Sequence, residues 1–495
     1  MTFCLSSVAA DIRQEPHLSI IPRSSDELAR IAGVTKLADD FSVAERFEDK
    51  PAGAATVPVL PDKRAFSQAS GNLAFEDKLD FSLGNGLFRK LWVSSPSSTL
   101  ASDGLGPLFN ARSCERCHAD NGRGHPPEDD DDNAISMFLR VSIPAETSLG
   151  AVDIDEYFAT LPEPTYGTQL QDSGLAGHAG EYNLKIDYEE IEVPLAGGDV
   201  AFLRKPTYRA EDLGYGPMHP KAMLSPRVAP QLIGLGLLEA IPAADILALA
   251  DPEDLDGDGI SGRPNIVWSV EYDQPMLGRF GLKAGTPTLR HQAAGAFSGD
   301  IGISNPLFAA AWGECTVTQE ACRTAPHGDR DVRGFEVDAE ALDAVTYFTR
   351  NIAVPARRDV DDPLVLRGKE LFYETGCTAC HRPAFVTHRL TDQAEQSFQL
   401  IWPYTDMLLH DMGPGLADNR PEARATGREW RTAPLWGLGL TEQVSGHSYF
   451  LHDGRARSIL EAILWHGGEA QSQRDAVASM SPEDRADLIH FLESL

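Results

Sequence analysis

Two pentapeptides constrain this chain more than any other feature: Cys114-Glu-Arg-Cys117-His118 and Cys377-Thr-Ala-Cys380-His381. Cys-x-x-Cys-His is the attachment pattern for c-type haem. Two thiols at this spacing add to the two vinyl groups of the porphyrin, and the following residue presents imidazole to the iron. A zinc site would need both pairs close enough to share one ion. Here the pairs stand far apart in sequence, and a thioredoxin-like pair needs no following histidine. The motifs therefore predict two covalently bound haem c groups, with His118 and His381 as proximal iron ligands.

Of the seven cysteines, Cys315 and Cys322 remain as a pair, in Cys315-Thr-Val-Thr-Gln-Glu-Ala-Cys322. In an exported protein this reads as a small loop disulfide; two free thiols are the alternative. Thioether attachment of haem takes place outside the cytoplasm, so both readings point to the periplasm. Cys4 is left over, within the mostly small and apolar stretch Phe3 to Ala10. That stretch ends Val8-Ala9-Ala10 before Asp11, like the tail of a signal peptide whose start is truncated. It has no basic n-region, which keeps an ordinary N-terminus as the other reading.

No window reaches 18 consecutive apolar residues, so no transmembrane segment is expected. The closest, Val228 to Ala250, is interrupted by Pro230, Gln231, Glu239, Pro242 and Asp245. Seventy-four acidic against 43 basic side chains leave a net charge of −31. That balance argues against nucleic acid and anionic membrane surfaces as partners.

The second motif sits in a compact module. Leu366 to Thr375 reads as a helix running into Cys377. Ser481-Pro-Glu-Asp484 then opens a closing helix with an N-cap, a proline at the first helical position and acids in the first turn. Leu488, Leu492 and Leu495 fall on one face of it, with Ile489 beside them. The polar Arg357 to Pro363 stretch marks a boundary after a helix from about Asp338 to Ile352. Around the first motif the chain is less regular, with segments such as Tyr182 to Val193 reading as short strands. The expected fold is mainly α, with two cytochrome c-like haem domains, the N-terminal one elaborated with long loops and short strands. The expected divisions are an extension over 1–70, a first haem domain over 71–357 and a second over 358–495.

A third motif is Asp254-x-Asp256-x-Asp258-Gly259. Alternate carboxylates of this kind converge on a hard cation, and the glycine permits the sharp turn. Calcium is the expected ion, with Ile260 offering its backbone carbonyl. Asn265 stands where an EF-hand would place a bidentate Glu, so the loop is not a full EF-hand. An exposed acidic loop is the competing reading.

Several further blocks carry a resemblance from about Phe81 to the C-terminus. They are Asp103-Gly-Leu-Gly-Pro-Leu-Phe-Asn-Ala-Arg-Ser-Cys114, Gly214-Tyr-Gly-Pro-Met-His-Pro220 and Asp254-Leu-Asp-Gly-Asp-Gly-Ile-Ser-Gly-Arg-Pro-Asn265. Pro403-Tyr-Thr-Asp406, His410-Asp-Met-Gly-Pro414, Glu429-Trp-Arg-Thr432 and Phe450-Leu-His-Asp-Gly454 continue it. With these the chain resembles the di-haem oxidoreductase, or putative peroxidase, family, which is distantly similar to bacterial di-haem cytochrome c peroxidases. The resemblance implies one haem that receives electrons and one that reacts with hydrogen peroxide. It also implies a small cytochrome or cupredoxin as donor, and a structural calcium between the haem domains. An electron-transfer cytochrome without peroxidase activity, or an oxidase of a protein or thiol, are the other function classes.

For the C-terminal haem, His466 stands where related proteins place their sixth ligand after a His-Asp-Gly block. Met412 and His410 are the alternatives. For the N-terminal haem no ligand stands out: His125 follows His118 too closely, and Met137, Met218 and His219 are undistinguished. That makes the N-terminal haem the expected reactive one. Peroxide cleavage needs a general base, and Glu239 with Gln231 is reminiscent of the peroxidases' catalytic Glu and Gln. The bland alternative for Glu239 is a helix-end carboxylate paired with an arginine. Gln292 carries a weaker version of the catalytic reading, and Trp92, Trp312, Trp436 and Trp465 are candidate electron relays.

Overall fold

The computed structural model describes residues 12–128, 132, 135–145, 160–328 and 334–495. The signal-peptide reading, which rests on Phe3 to Ala10 and Cys4, lies outside these residues.

Each Cys-x-x-Cys-His motif is backed by a pair of crossed helices. Behind the first, Lys78–Arg89 lies on Ala339–Arg350. Phe348 is the pivot, with its ring 4.9 Å from Phe81 and 5.2 Å from Phe88. Gly84 lets the backbones touch, since a Cβ there would collide with the Ala344 carbonyl. Behind the second motif, Pro363–Glu374 lies on the closing helix Pro482–Ser494. Gly368 makes the matching close approach, to the Asp487 carbonyl, and Phe372 meets Phe491 at 5.2 Å. The local signals account for these helix ends: Asp362 and Ser481 cap the two starts and proline follows each. Leu488 and Leu492 are buried as their spacing predicted.

The mainly α expectation is overturned. The chain is only 28% helical with 18% strand, a mixed α/β structure rather than a plain pair of helical cytochrome c domains. Many of the helices are single turns of four to six residues, such as Cys114–Cys117, Leu235–Glu239 and Ile459–Leu464. The 33 prolines and 43 glycines explain this, because they punctuate the chain before helices can lengthen. Strand is concentrated in a long antiparallel hairpin, Asn183–Pro194 with Val200–Glu211, in the register Tyr188 opposite Pro206. Met137–Pro144 pairs with Met223–Val228 in a small sheet, and the other ribbons are two-stranded.

The largest core cluster joins Phe66, Phe88, Leu237 and Phe348 to Phe385, Leu408 and Trp436, so apolar packing runs across the Arg357 to Pro363 stretch. The leading segment stitches the same halves together. Ile20–Ile21 pairs with Arg389–Leu390. Glu15 accepts from Arg279 at 2.6 Å and contacts His388 at 2.7 Å. Glu48 holds two buried cations, Arg357 and, at 2.8 Å, Lys369. Among the described residues no helix is long and apolar enough to cross a membrane.

Candidate di-haem site

Both motifs open onto one cavity of about 700 Å³, which is mostly apolar and runs between the two helix pairs. In each motif the chain makes a single helical turn, which puts the two cysteines on one side three residues apart. The turn closes on the histidine: His118 N–H donates to Cys114 O at 3.0 Å, and His381 N–H donates to Cys377 O at 2.9 Å. Burial pushes the Cys114 and Cys377 thiols up to about 12. All four thiols therefore stay neutral rather than becoming exposed nucleophiles.

Three cavity-lining histidines are held alike. The Nδ1–H of His118 donates to Pro230 O, that of His381 to Tyr404 O and that of His466 to Ala462 O, each at 2.8 Å. A backbone acceptor at Nδ1 fixes the tautomer and leaves Nε2 as a lone pair for a metal. Burial pushes His118 and His381 down to about 4 and lowers His466 as well, so all three rings are neutral. Met412 also borders the cavity. His410 is engaged at both nitrogens instead: Nε2 meets Asp406 at 2.7 Å and Nδ1 meets Glu469 at 2.8 Å. Burial opposes its charge, but those carboxylates and Cys380 raise it well above the ordinary histidine value. An imidazolium so clamped has no lone pair to offer.

Of the predicted acid–base residues, Gln231 and Gln292 border the cavity and Glu239 does not. Glu239 is 1% exposed and does not border the cavity. Its Oε1 accepts the Leu289 N–H at 2.8 Å, and its Oε2 pairs with Arg350 at 3.3 Å. That is the work of a helix-capping, ion-paired carboxylate. Gln231 borders the cavity beside Pro230, the acceptor for His118, and donates its amide to Trp436 O at 2.9 Å. Gln292 borders it too and accepts from Thr286 Oγ1 at 2.7 Å. His125, Met137, Met218 and His219 do not line it.

Three features escaped the sequence reading. His291 borders the cavity from the helix Leu289–Gly299. Trp430 borders it as well, stacked on His452 with ring centres 3.9 Å apart and Lys283 Nζ 4.5 Å from its own ring. Of the tryptophans named from sequence, Trp436 lines the cavity, whereas Trp92, Trp312 and Trp465 do not. The third feature is Asp251, which gathers with Asp254 and Asp256 so that ligand oxygens lie within 4.8 Å of one another. Asp258 is turned away from that group, accepting the Ile260 N–H at 2.8 Å. Asp251 Oδ2 also accepts from the Leu255 and Asp256 N–H groups, at 2.7 and 3.3 Å. Cys315 and Cys322 have their sulfurs at bonding distance, with Cα atoms 6.2 Å apart.

The donor set fits two haems. Apolar walls suit a porphyrin face, paired thiols and an oriented Nε2 stand at each end, and Arg123 and Arg431 line the cavity as cations suited to carboxylate side arms. A family model described as "Di-haem oxidoreductase, putative peroxidase" matches residues 49–495. No curated protein matches the chain. With most of its length matched and both haem motifs facing one cavity, the chain belongs to the di-haem oxidoreductase, putative peroxidase, family.

Proposed function

We propose that this di-haem oxidoreductase is a periplasmic c-type enzyme that reduces hydrogen peroxide at its N-terminal haem with electrons received through its C-terminal haem. The observation that carries this reading is the asymmetry of histidines. His381 and His466 both offer a braced Nε2 to the cavity, the arrangement for a six-coordinate, electron-transferring iron. At the other motif, among the described residues that line the cavity, only His118 is braced in this way. When bound, the N-terminal haem supplies an open coordination position and the capacity to take oxidising equivalents.

The protein's own part is to hold, orient and exclude. Cys114 and Cys117, and Cys377 and Cys380, form the thioethers. Pro230 and Tyr404 fix the proximal rings through their carbonyls. Arg123 and Arg431 would neutralise the haem carboxylates, and the apolar wall would keep bulk water from the reacting oxygens. Trp430, stacked on His452, and Trp436 both border the cavity and are the aromatic candidates for electron passage between the haems. The donor is a small cytochrome or cupredoxin. Calcium at Asp251, Asp254 and Asp256 and a Cys315–Cys322 disulfide complete the exported form.

EPR and optical spectra of the oxidised and half-reduced protein, with and without hydrogen peroxide, test this. One low-spin and one high-spin haem are expected, with peroxide changing only the high-spin component. Two low-spin haems indifferent to peroxide would leave an electron-transfer cytochrome.

A further inference from the structure

The mechanism above leaves the N-terminal haem without a proton-handling group, because Glu239 is committed to Leu289 and Arg350. The helix Leu289–Gly299 offers one. Its C-terminal end lies at the first motif: the Asp300 carbonyl accepts from Asn110 and Ala111 N–H, and the Asp300 carboxylate acts on both Cys114 and Cys117. The helix then passes along the cavity with small residues facing it. Nothing lies within 4 Å of where a Cβ on Gly295 would sit. One turn before Gly295, on the same face, stands His291.

His291 is 7% exposed, and its Nδ1 is buried with no hydrogen-bond partner among the described residues. Its ring has a neighbour in Phe308, 5.8 Å away. The helix start does not need the side chain, since Thr288 and Glu239 already accept the first N–H groups. A buried polar ring left unpaired costs free energy, and it is retained here facing a reaction cavity. Burial pushes it down to about 4, so the resting ring is neutral and keeps a lone pair. It also lacks the backbone brace shared by His118, His381 and His466, the mark of a ring set to coordinate iron.

We propose that His291 is the distal acid–base residue of the N-terminal haem, and not its sixth ligand. This rests on the peroxidase reading and deepens it. His291 takes the proton from the nearer oxygen of hydrogen peroxide and gives it to the farther one. The O–O bond breaks, and the farther oxygen leaves as water. Two electrons from the donor cytochrome or cupredoxin and two solvent protons complete the balance, H₂O₂ + 2 e⁻ + 2 H⁺ → 2 H₂O.

The test uses the two-haem protein and the His291→Ala and His291→Gln variants, with haem content and EPR confirming that both haems are in place. The probe is hydrogen cyanide, a weak acid that must lose its proton to bind ferric iron and so reports on a distal base without peroxide chemistry. Cyanide association at the high-spin haem is expected to slow by about 100-fold or more in both variants, with added imidazole restoring part of the rate in His291→Ala. Unchanged association rates would overturn the proposal. So would a wild-type N-terminal haem that is low-spin and turns high-spin in the variants, because His291 would then be a ligand. If wild-type cyanide binding depends on His291 but peroxide is not consumed, the acid–base assignment stands and the peroxidase reading falls.

Discussion

Beyond the two attachment histidines, which are held alike, the two ends of the cavity treat their histidines in opposite ways. At the C-terminal end His466 has its Nδ1–H fixed on Ala462 O, and its neighbour His410 is clamped between Asp406 and Glu469. At the N-terminal end His291 has a ring whose Nδ1 finds no hydrogen-bond partner among the described residues. The first arrangement leaves an imidazole one task, to donate a lone pair in a set direction. The second leaves it free to gain and lose a proton. Orientation suits electron transfer, where reorganisation should be small. An unbraced ring suits chemistry in which a proton moves.

The comparison breaks most sharply if the thiol pairs are removed one at a time. Cys377→Ala with Cys380→Ala is expected to abolish haem at that end, to leave the N-terminal haem attached and to stop donor-driven turnover. Cys114→Ala with Cys117→Ala should spare the low-spin spectrum and remove peroxide reactivity. Haem stoichiometry by pyridine haemochrome, read with EPR, checks both. His466→Ala is the next step down: the C-terminal iron should pass from low to high spin with haem content unchanged, and a persisting low-spin signal would transfer the ligand role to Met412.

Stability offers a smaller effect. Glu48→Ala leaves the buried Arg357 without its carboxylate, while Lys369 keeps Glu45 at 2.7 Å, at a cost of about 3–5 kcal/mol. Denaturant unfolding should show that loss, whereas Glu27→Ala, at an exposed helix start, should cost far less. The smallest effect concerns acid. Burial works against the Glu469 charge, but hydrogen bonds from His410, Ser261 and Asp411 prevail and bring its pKa down to about 2. Its folded value is depressed, so its contribution is present above about pH 4.5 and is lost as pH falls towards 2. His410 is raised, so its share holds below about pH 6.5 and fades as pH climbs through its folded value. Melting temperatures between pH 5 and 2 should fall less steeply in Glu469→Gln than in the wild type.

What sequence could say followed the range of the interactions. Cap-and-proline starts at Asp362 and Ser481 are local, and both helices were legible. The attachment motifs are local as well. His466 was visible only through family likeness, because its brace depends on the preceding turn ending beside the cavity. Glu239 looked like a base because its sequence neighbours are apolar, yet its partners Leu289 and Arg350 come from distant elements. His291 gave no signal at all, since its isolation depends on Phe308 and on a cavity assembled from both halves. The helical content was overestimated because well-marked helices flank the motifs, while prolines and glycines cut the rest into turns and ribbons.

The stitching by residues 15–57 has a consequence for the order of events in time. Glu15, Ile20 and Glu48 leave the ribosome early, but His388, Leu390, Arg357 and Lys369 are made hundreds of residues later. Contacts so distant in sequence form slowly, and here they are not available until most of the chain is out. The leading strand therefore works as a late clasp. Until it closes, Arg357, Lys369 and His388 lack their carboxylate partners from the leading segment, so the last charges to be neutralised lie between the two attachment motifs and their flanks.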